Sequence, residues 1–262
     1  MYSGMKKMLV MTIALVAAVL IAAPAHAAII LYSTDFTTGS GGLNGVVVDT
    51  SGATSAQHAQ YGTIENEAWT AGALFDADGT YTATDNSPAT RQTASLSFTP
   101  QTGYVYTLTV ESAFSGEGWQ GAGFVADDTY TGNNLAAGAG TVWTINPGGN
   151  GFTTFHSLTG GNDNSVAVTD SDLATATLTF VLDTTAGAGD WSAEYLINGT
   201  SYRTIPDLNA TPIEGVGLMA LYFDADATSA YESLELTVIP EPGSLALLGT
   251  GLLGLLCLRR RR

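Results

Sequence analysis

The chemistry this chain offers is carboxylate, hydroxyl and indole chemistry. Hard divalent cations want clustered carboxylate and carbonyl oxygens, and the acids at short spacing are Asp76-Ala77-Asp78-Gly79, Asp163, Asp170-Ser171-Asp172 and Asp224-Ala225-Asp226. Asp76, Asp78, Asp163, Asp170, Asp172, Asp224 and Asp226 are therefore the candidate calcium ligands, and calcium is the one cofactor the sequence suggests. None of these stretches completes an EF-hand spacing, and Gly160-Gly161-Asn162-Asp163 occurs once instead of as a repeated nonapeptide. The plainer reading of each is a turn whose Asp bonds its own backbone. Trp119 is the candidate sugar-stacking residue, carried by a glycine-rich loop; the plainer reading is an indole that caps the core.

Catalytic patterns are scarce. Gly116-Glu117-Gly118-Trp119-Gln120-Gly121 matches G-x-G-x-x-G, but that fingerprint works only between a parallel strand and a helix, and here a strand follows. Glycoside hydrolysis needs two carboxyls flanking the bond; the nearest approach is Glu65-Asn66-Glu67, which also reads as two surface acids. His58 and His156 are the histidines that remain after the leader, with no G-x-S-x-G and no H-E-x-x-H around them. The single cysteine, Cys257, lies in an apolar tail, so the region before it has neither a disulfide nor thiol chemistry. The reading is a protein without a catalytic site.

The elements that must position these residues are strands. Tyr104 to Glu111 alternates Tyr104, Tyr106, Leu108 and Val110 against Val105, Thr107, Thr109 and Glu111, and Ala174 to Leu182 sets Ala176, Leu178, Phe180 and Leu182 against Thr175, Thr177 and Thr179. Trp191 to Ile197 runs into Asn198-Gly199, the pair a type I′ hairpin wants, and on into Thr200 to Ile205. Further strands are expected at Ile29 to Ser33, Ala68 to Phe75, Ala94 to Phe98, Gly121 to Ala126, Thr141 to Ile145, Gly215 to Phe223 and Leu234 to Val238. With 31 glycines and abundant threonine, no stretch sustains a 3.6 period inside the domain, so long helices are not expected there. The fold class is all-β, a two-sheet antiparallel sandwich, flanked by an N-terminal signal helix and a C-terminal hydrophobic helix.

The two ends are of another kind. Lys6-Lys7, an apolar run from Met8 to Ala23 and Ala25-His26-Ala27 make the three parts of a secretory signal, with cleavage between Ala27 and Ala28. That assigns 1–27 to a signal peptide, 28–238 to one extracytoplasmic domain and 239–262 to a tail. Six of the eight basic residues, Lys6, Lys7 and Arg259, Arg260, Arg261 and Arg262, lie in the ends, leaving Arg91 and Arg203 beside 23 of the 24 acids. So acidic a domain excludes a nucleic-acid footprint and stays soluble by self-repulsion. In the tail, Pro240-Glu241-Pro242 precedes an apolar span at 243–258 and the four arginines. As a helix the span reaches about 24 Å, short of a hydrocarbon core of about 30 Å, which suits a transient anchor. The arginines act as the cytoplasmic stop and keep everything before Pro240 outside the inner membrane.

Pro240-Glu241-Pro242, the span and the terminal arginines together resemble the PEP-CTERM sorting signal of Gram-negative bacteria. The resemblance implies Sec export, recognition by an exosortase, removal of the tail and residence at the cell surface or in an exopolysaccharide matrix. Tyr-Thr-Leu-Thr-Val, Gly-Ala-Gly-Phe-Val, Thr-Phe-Val-Leu-Asp-Thr-Thr and Asp-Trp-Ser-Ala-Glu-Tyr-Leu-Ile-Asn-Gly, in that order, resemble a concanavalin-type or laminin-G-like jelly roll. The expected function is non-catalytic binding of exopolysaccharide. The alternatives are a structural or adhesive matrix protein that works through cations without sugar specificity, and an extracellular polysaccharide hydrolase.

Overall fold

In the computed structural model, residues 27–36, 40–64, 67–82, 92–115, 118–131, 140–148, 152–157, 162–167, 175–186, 190–208, 213–222 and 228–240 are described. Ile29–Val238 forms one compact unit, and Met1–Ala28 with Ile239–Arg262 a second. The two flanking helices expected at the ends lie outside the described residues. Among the described residues no helix is long and apolar enough to cross a membrane.

Period-2 alternation resolves into two seven-stranded antiparallel sheets, a sandwich of the jelly-roll type. With strands numbered in chain order, the first sheet runs β1 (Ile29–Thr34), β16 (Thr228–Ile239), β7 (Val105–Ser115), β12 (Thr175–Asp183), β13 (Trp191–Ile197), β14 (Thr200–Leu208), with the short β4 (Thr80–Tyr81) paired to β16. The second runs β11 (Asn162–Ala167), β10 (Phe152–Ser157), β9 (Gly140–Gly148), β8 (Gly118–Val125), β15 (Gly215–Tyr222), β5 (Gln92–Ser97), β3 (Thr70–Ala71). A separate pair joins β2 (Gly62–Thr63) to β6 (Thr99–Pro100). Ile29 pairs with Val238, so the unit begins and ends on neighbouring strands. Asn198 and Gly199 take φ of 50° and 75°, the two positive values that a type I′ turn between β13 and β14 requires.

The alternation sets the core. Tyr106, Leu108 and Val110 of β7 and Leu178, Phe180 and Leu182 of β12 are buried on the inner face, and Ala94, Leu96, Ala122, Phe124, Val216 and Leu218 face them from the second sheet. Each large apolar side chain so buried contributes about 1.5–3 kcal/mol. Phe98 joins the layers, edge-on to Tyr106 at 5.3 Å and to Tyr32 at 6.5 Å.

Three structural features depart from the sequence reading. The stretch expected as a strand from Ala68 to Phe75 pairs as a strand only at Thr70–Ala71, and the rest forms turns and isolated bridges. Strands β10 and β11 were not expected. A short helix, α1 (Ser55–Tyr61), is held by a capping box in which the Gln57 amide donates to Thr54 Oγ1 at 3.3 Å and the Thr54 amide donates to Gln57 Oε1 at 2.8 Å. It stops at Gly62, where a Cβ would lie 2.5 Å from the Phe98 ring.

Two buried tyrosines behave oppositely. The Tyr106 hydroxyl accepts from the Gln101 amide at 2.8 Å and donates to the Tyr61 carbonyl, pinning the end of α1, while burial pushes its pKa up. Tyr32 is also fully buried and its pKa is raised by burial, yet among the described residues its hydroxyl has no hydrogen-bond partner. A buried polar atom without a partner costs about 1–3 kcal/mol. Tyr32→Phe is therefore expected to raise the unfolding free energy by about 1 kcal/mol, read as a higher urea midpoint at unchanged slope. A lower midpoint would show that the hydroxyl is satisfied.

Candidate functional site

The first sheet spends one face on the core, and so does the second. What the second sheet carries on its other face follows from register, because directly paired residues of an antiparallel ladder share a face. One row of paired positions runs Ser95, Gly217, Gly123. The next runs Thr93, Met219, Gly121. Gly217, Gly123 and Gly121 at the β8–β15 centre bring no side chains to this face, and all three are themselves buried.

Trp119 stands on this face. It belongs to β8 itself and not to a displayed glycine-rich loop, which corrects the sequence expectation: ladders to β15 and β9 on both sides outweigh the weak strand preference of glycine. The indole is half-buried and packs with Tyr130 against fully buried Val125 and Met219, an apolar cluster apart from the main core. Gly118 to Gly121 are strand, so the G-x-G-x-x-G match has no helix behind it and no dinucleotide role. Beside the cluster, Thr93 Oγ1 donates to the Tyr130 carbonyl at 2.7 Å and Ser95 Oγ to the same oxygen at 3.3 Å. Tyr130, Thr93 and Ser95 were not singled out from sequence. Their only signal is the alternation Thr93, Ser95, Ser97 against Ala94, Leu96, Phe98, a polar face on a strand that proves buried on both sides.

Asp76-Ala77-Asp78-Gly79 resolves into a turn. Asp78 Oδ1 accepts from the Thr80 amide at 3.0 Å and the Thr80 hydroxyl at 2.6 Å, and the Gly79 amide donates to the Asp76 carbonyl. The same Asp-x-Thr/Ser device recurs at Asp49 with Ser51, Asp127 with Thr129 and Asp183 with Thr185. Asp163 lies in β11, paired at Phe155, and not in a loop. Asp170, Asp172, Asp224 and Asp226 lie outside the described residues, as do Glu65, Ala25, Glu241, Pro242 and the arginines 259–262. Among the described residues no three His, Cys, Asp or Glu side chains come together as a metal site. Glu67 is exposed and accepts from the Thr50 hydroxyl at 3.4 Å. His58 Nε2 lies 3.0 Å from the Leu31 carbonyl, which can only accept, so that nitrogen carries the proton. Ala27 and Ala28 are exposed ahead of β1, and Pro240 follows β16 directly.

The turn hydrogen bonds hold two carboxyls below the ordinary aspartate range. At Asp78 the Thr80 hydroxyl is the larger cause and the Thr80 amide the next; at Asp49 the Ser51 side chain leads and its amide follows. A depressed folded pKa gives stability that is present above the unfolded value and lost as pH falls through the folded one. Stability is thus expected to fall on acidification below about pH 4. The effect is small because both carboxyls face water. Asp78→Asn flattens part of that acid limb, which urea midpoints measured against pH would show.

No curated protein matches the sequence. Among solved structures the chain is similar to the endo-1,3-beta-glucanase from Streptomyces sioyaensis (11% identity, 80% of this chain and 96% of that one, TM-score 0.44). It is similar also to a legume lectin-like domain from Entamoeba histolytica (11%, 78% and 97%, 0.41) and to the T. cruzi calreticulin globular domain (12%, 79% and 87%, 0.43). Residues 238–262 match the PEP-CTERM protein-sorting motif, which marks the chain as an exported protein processed at the cell envelope.

Proposed function

We propose that the mature protein is a non-catalytic surface or matrix protein that binds exopolysaccharide on the outer face of its second sheet. The observation that carries this reading is the aromatic pair Trp119 and Tyr130, both half-buried on one apolar cluster. An indole and a phenol ring with one face anchored and the other edge wet suit the apolar face of a sugar ring. The sorting motif supports the setting proposed with it: Sec export, transient anchoring in the inner membrane of a Gram-negative cell, exosortase processing, and release to the surface or the matrix around it. The domain's first and last residues, Ile29 and Val238, are paired neighbours, so both processed ends leave the sheet together.

The test is retention of the exported protein on immobilised exopolysaccharide from the producing cell. Trp119→Ala is expected to weaken retention about tenfold, the loss of one stacked ring. Retention on no polysaccharide, or an unchanged Trp119→Ala, would sink the reading. Release of reducing sugar from the same polysaccharide would make the protein a hydrolase instead. A second reading, a cation-bridged scaffold without sugar specificity, is favoured by the excess of acids over Arg91 and Arg203 in the domain; it predicts association that tracks calcium concentration and ignores Trp119.

A further inference from the structure

The hydroxyls of β5 look away from the core, yet Thr93 and Ser95 are completely buried. The segment that leaves β8 lies against them. An Asx turn reverses the chain, with Asp127 Oδ1 accepting from the Thr129 amide at 2.9 Å and its hydroxyl at 2.6 Å. The segment then lies back over β15 and β5: a Cβ on Gly215 would stand 3.0 Å from Asp128 Cβ, and the Tyr130 carbonyl takes both hydroxyls. The Tyr130 ring thereby reaches the Val125–Met219 cluster on which Trp119 also packs.

We infer that residues 126–131 are a strap that closes the β5 side of the sugar-binding face and fixes Tyr130 beside Trp119, with Thr93 and Ser95 as its positioning residues. This rests on the exopolysaccharide reading and narrows it. The two β5 hydroxyls that could have met a ligand, Thr93 and Ser95, are spent on the strap, so a glycan is met from the β8 side, where the two rings stand. The two hydroxyls share one acceptor. Losing both leaves that carbonyl with no side-chain donor in a buried place, and the strap with the Tyr130 ring as its remaining hold.

The experiment compares the exported protein with Thr93→Val/Ser95→Ala, which keeps the shapes and removes the hydroxyls, and with Thr93→Ser, which keeps a hydroxyl at the first position. Amide exchange at Thr129 and Tyr130 is measured beside the β12 amides as an internal reference, together with retention on the producing cell's exopolysaccharide. The double variant is expected to exchange at least about tenfold faster at Thr129 and Tyr130 with β12 unchanged, and to bind at least about threefold more weakly, as the loss of two hydrogen bonds to a loop implies. Thr93→Ser should leave both as in the unsubstituted protein. Unchanged exchange in the double variant overturns the strap. Faster exchange with unchanged binding, where Trp119→Ala does lose binding, overturns the positioning role while the glycan reading stands. If Trp119→Ala binds as wild type, the glycan reading fails by itself and the exchange result alone decides whether the strap exists.

Discussion

Tyr231→Phe is expected to lower the unfolding free energy by about 2–4 kcal/mol, the opposite sign from the same substitution at Tyr32. Tyr231 starts in β16 of the first sheet and reaches across the interior into the backbone of the second. Its hydroxyl hydrogen is shared between the carbonyls of Gly121, at 2.8 Å, and Met219, and its oxygen accepts from the Gly121 amide at 3.3 Å and the Met219 amide at 3.2 Å. Gly121 and Met219 are directly paired between β8 and β15, so the phenol is lodged in the ladder of the strands that carry the proposed site. Removing one oxygen strips buried amide and carbonyl groups of a shared partner, and each such group costs about 1–3 kcal/mol. The neighbouring tie, Gln120 Nε2 donating to the Ala230 carbonyl at 2.9 Å, stays but cannot replace it. Urea unfolding of the Tyr231→Phe and Tyr32→Phe proteins side by side decides the matter. Equal shifts would mean that the ring and not the hydroxyl carries the tie between sheets.

How much of this was legible depended on whether a residue advertises its partner. Strands β7, β12 and β13 were readable because their faces differ: Leu108 and Phe180 must be covered, Thr109 and Thr179 need not be. Asn198-Gly199 was readable because few residue pairs accept two positive φ values. Strands β10 and β11 were not, since Phe-Thr-Thr-Phe-His-Ser and Asn-Asp-Asn-Ser-Val-Ala have no clean apolar face; they form by adding to the edge that β9 offers. The helix at Ser55 had a signal that was passed over, the Thr54-x-x-Gln57 box.

The site itself was half legible. Trp119 could be picked out by residue type, but its place in β8 could not, because glycines on either side read as loop and the pairing that makes them strand comes from β15, about a hundred residues later in the chain. Thr93, Ser95 and Tyr130 meet over separations of 37 and 35 residues through a backbone carbonyl, which no side-chain pattern encodes. The acidic loops show the converse. Among the acids whose spacing suggested cations, Asp78 uses its carboxylate to fold its own turn, as do Asp49, Asp127 and Asp183, which the spacing had not singled out.

Gly79→Ala is the second large effect, expected to cost about 3–4 kcal/mol. Gly79 sits at φ +81°, where an alanine pays about 1–2 kcal/mol for the left-handed backbone alone. The larger part comes from the neighbour: a Cβ there would lie 2.0 Å from the Tyr231 carbonyl oxygen and 3.0 Å from Phe36 Cβ. Backbone oxygen cannot rotate away as a side chain can. Relief therefore requires β16 to retreat, and that breaks the bond from the Tyr231 amide to the Gly79 carbonyl, 2.9 Å in the native arrangement. Tyr231 would be displaced from both ends at once, its amide released here and its hydroxyl withdrawn from Gly121 and Met219. The substitution should consequently be sub-additive with Tyr231→Phe, the double variant losing less than the two single losses combined. Full additivity in that cycle would show that the Gly79 turn and the phenol tie act independently.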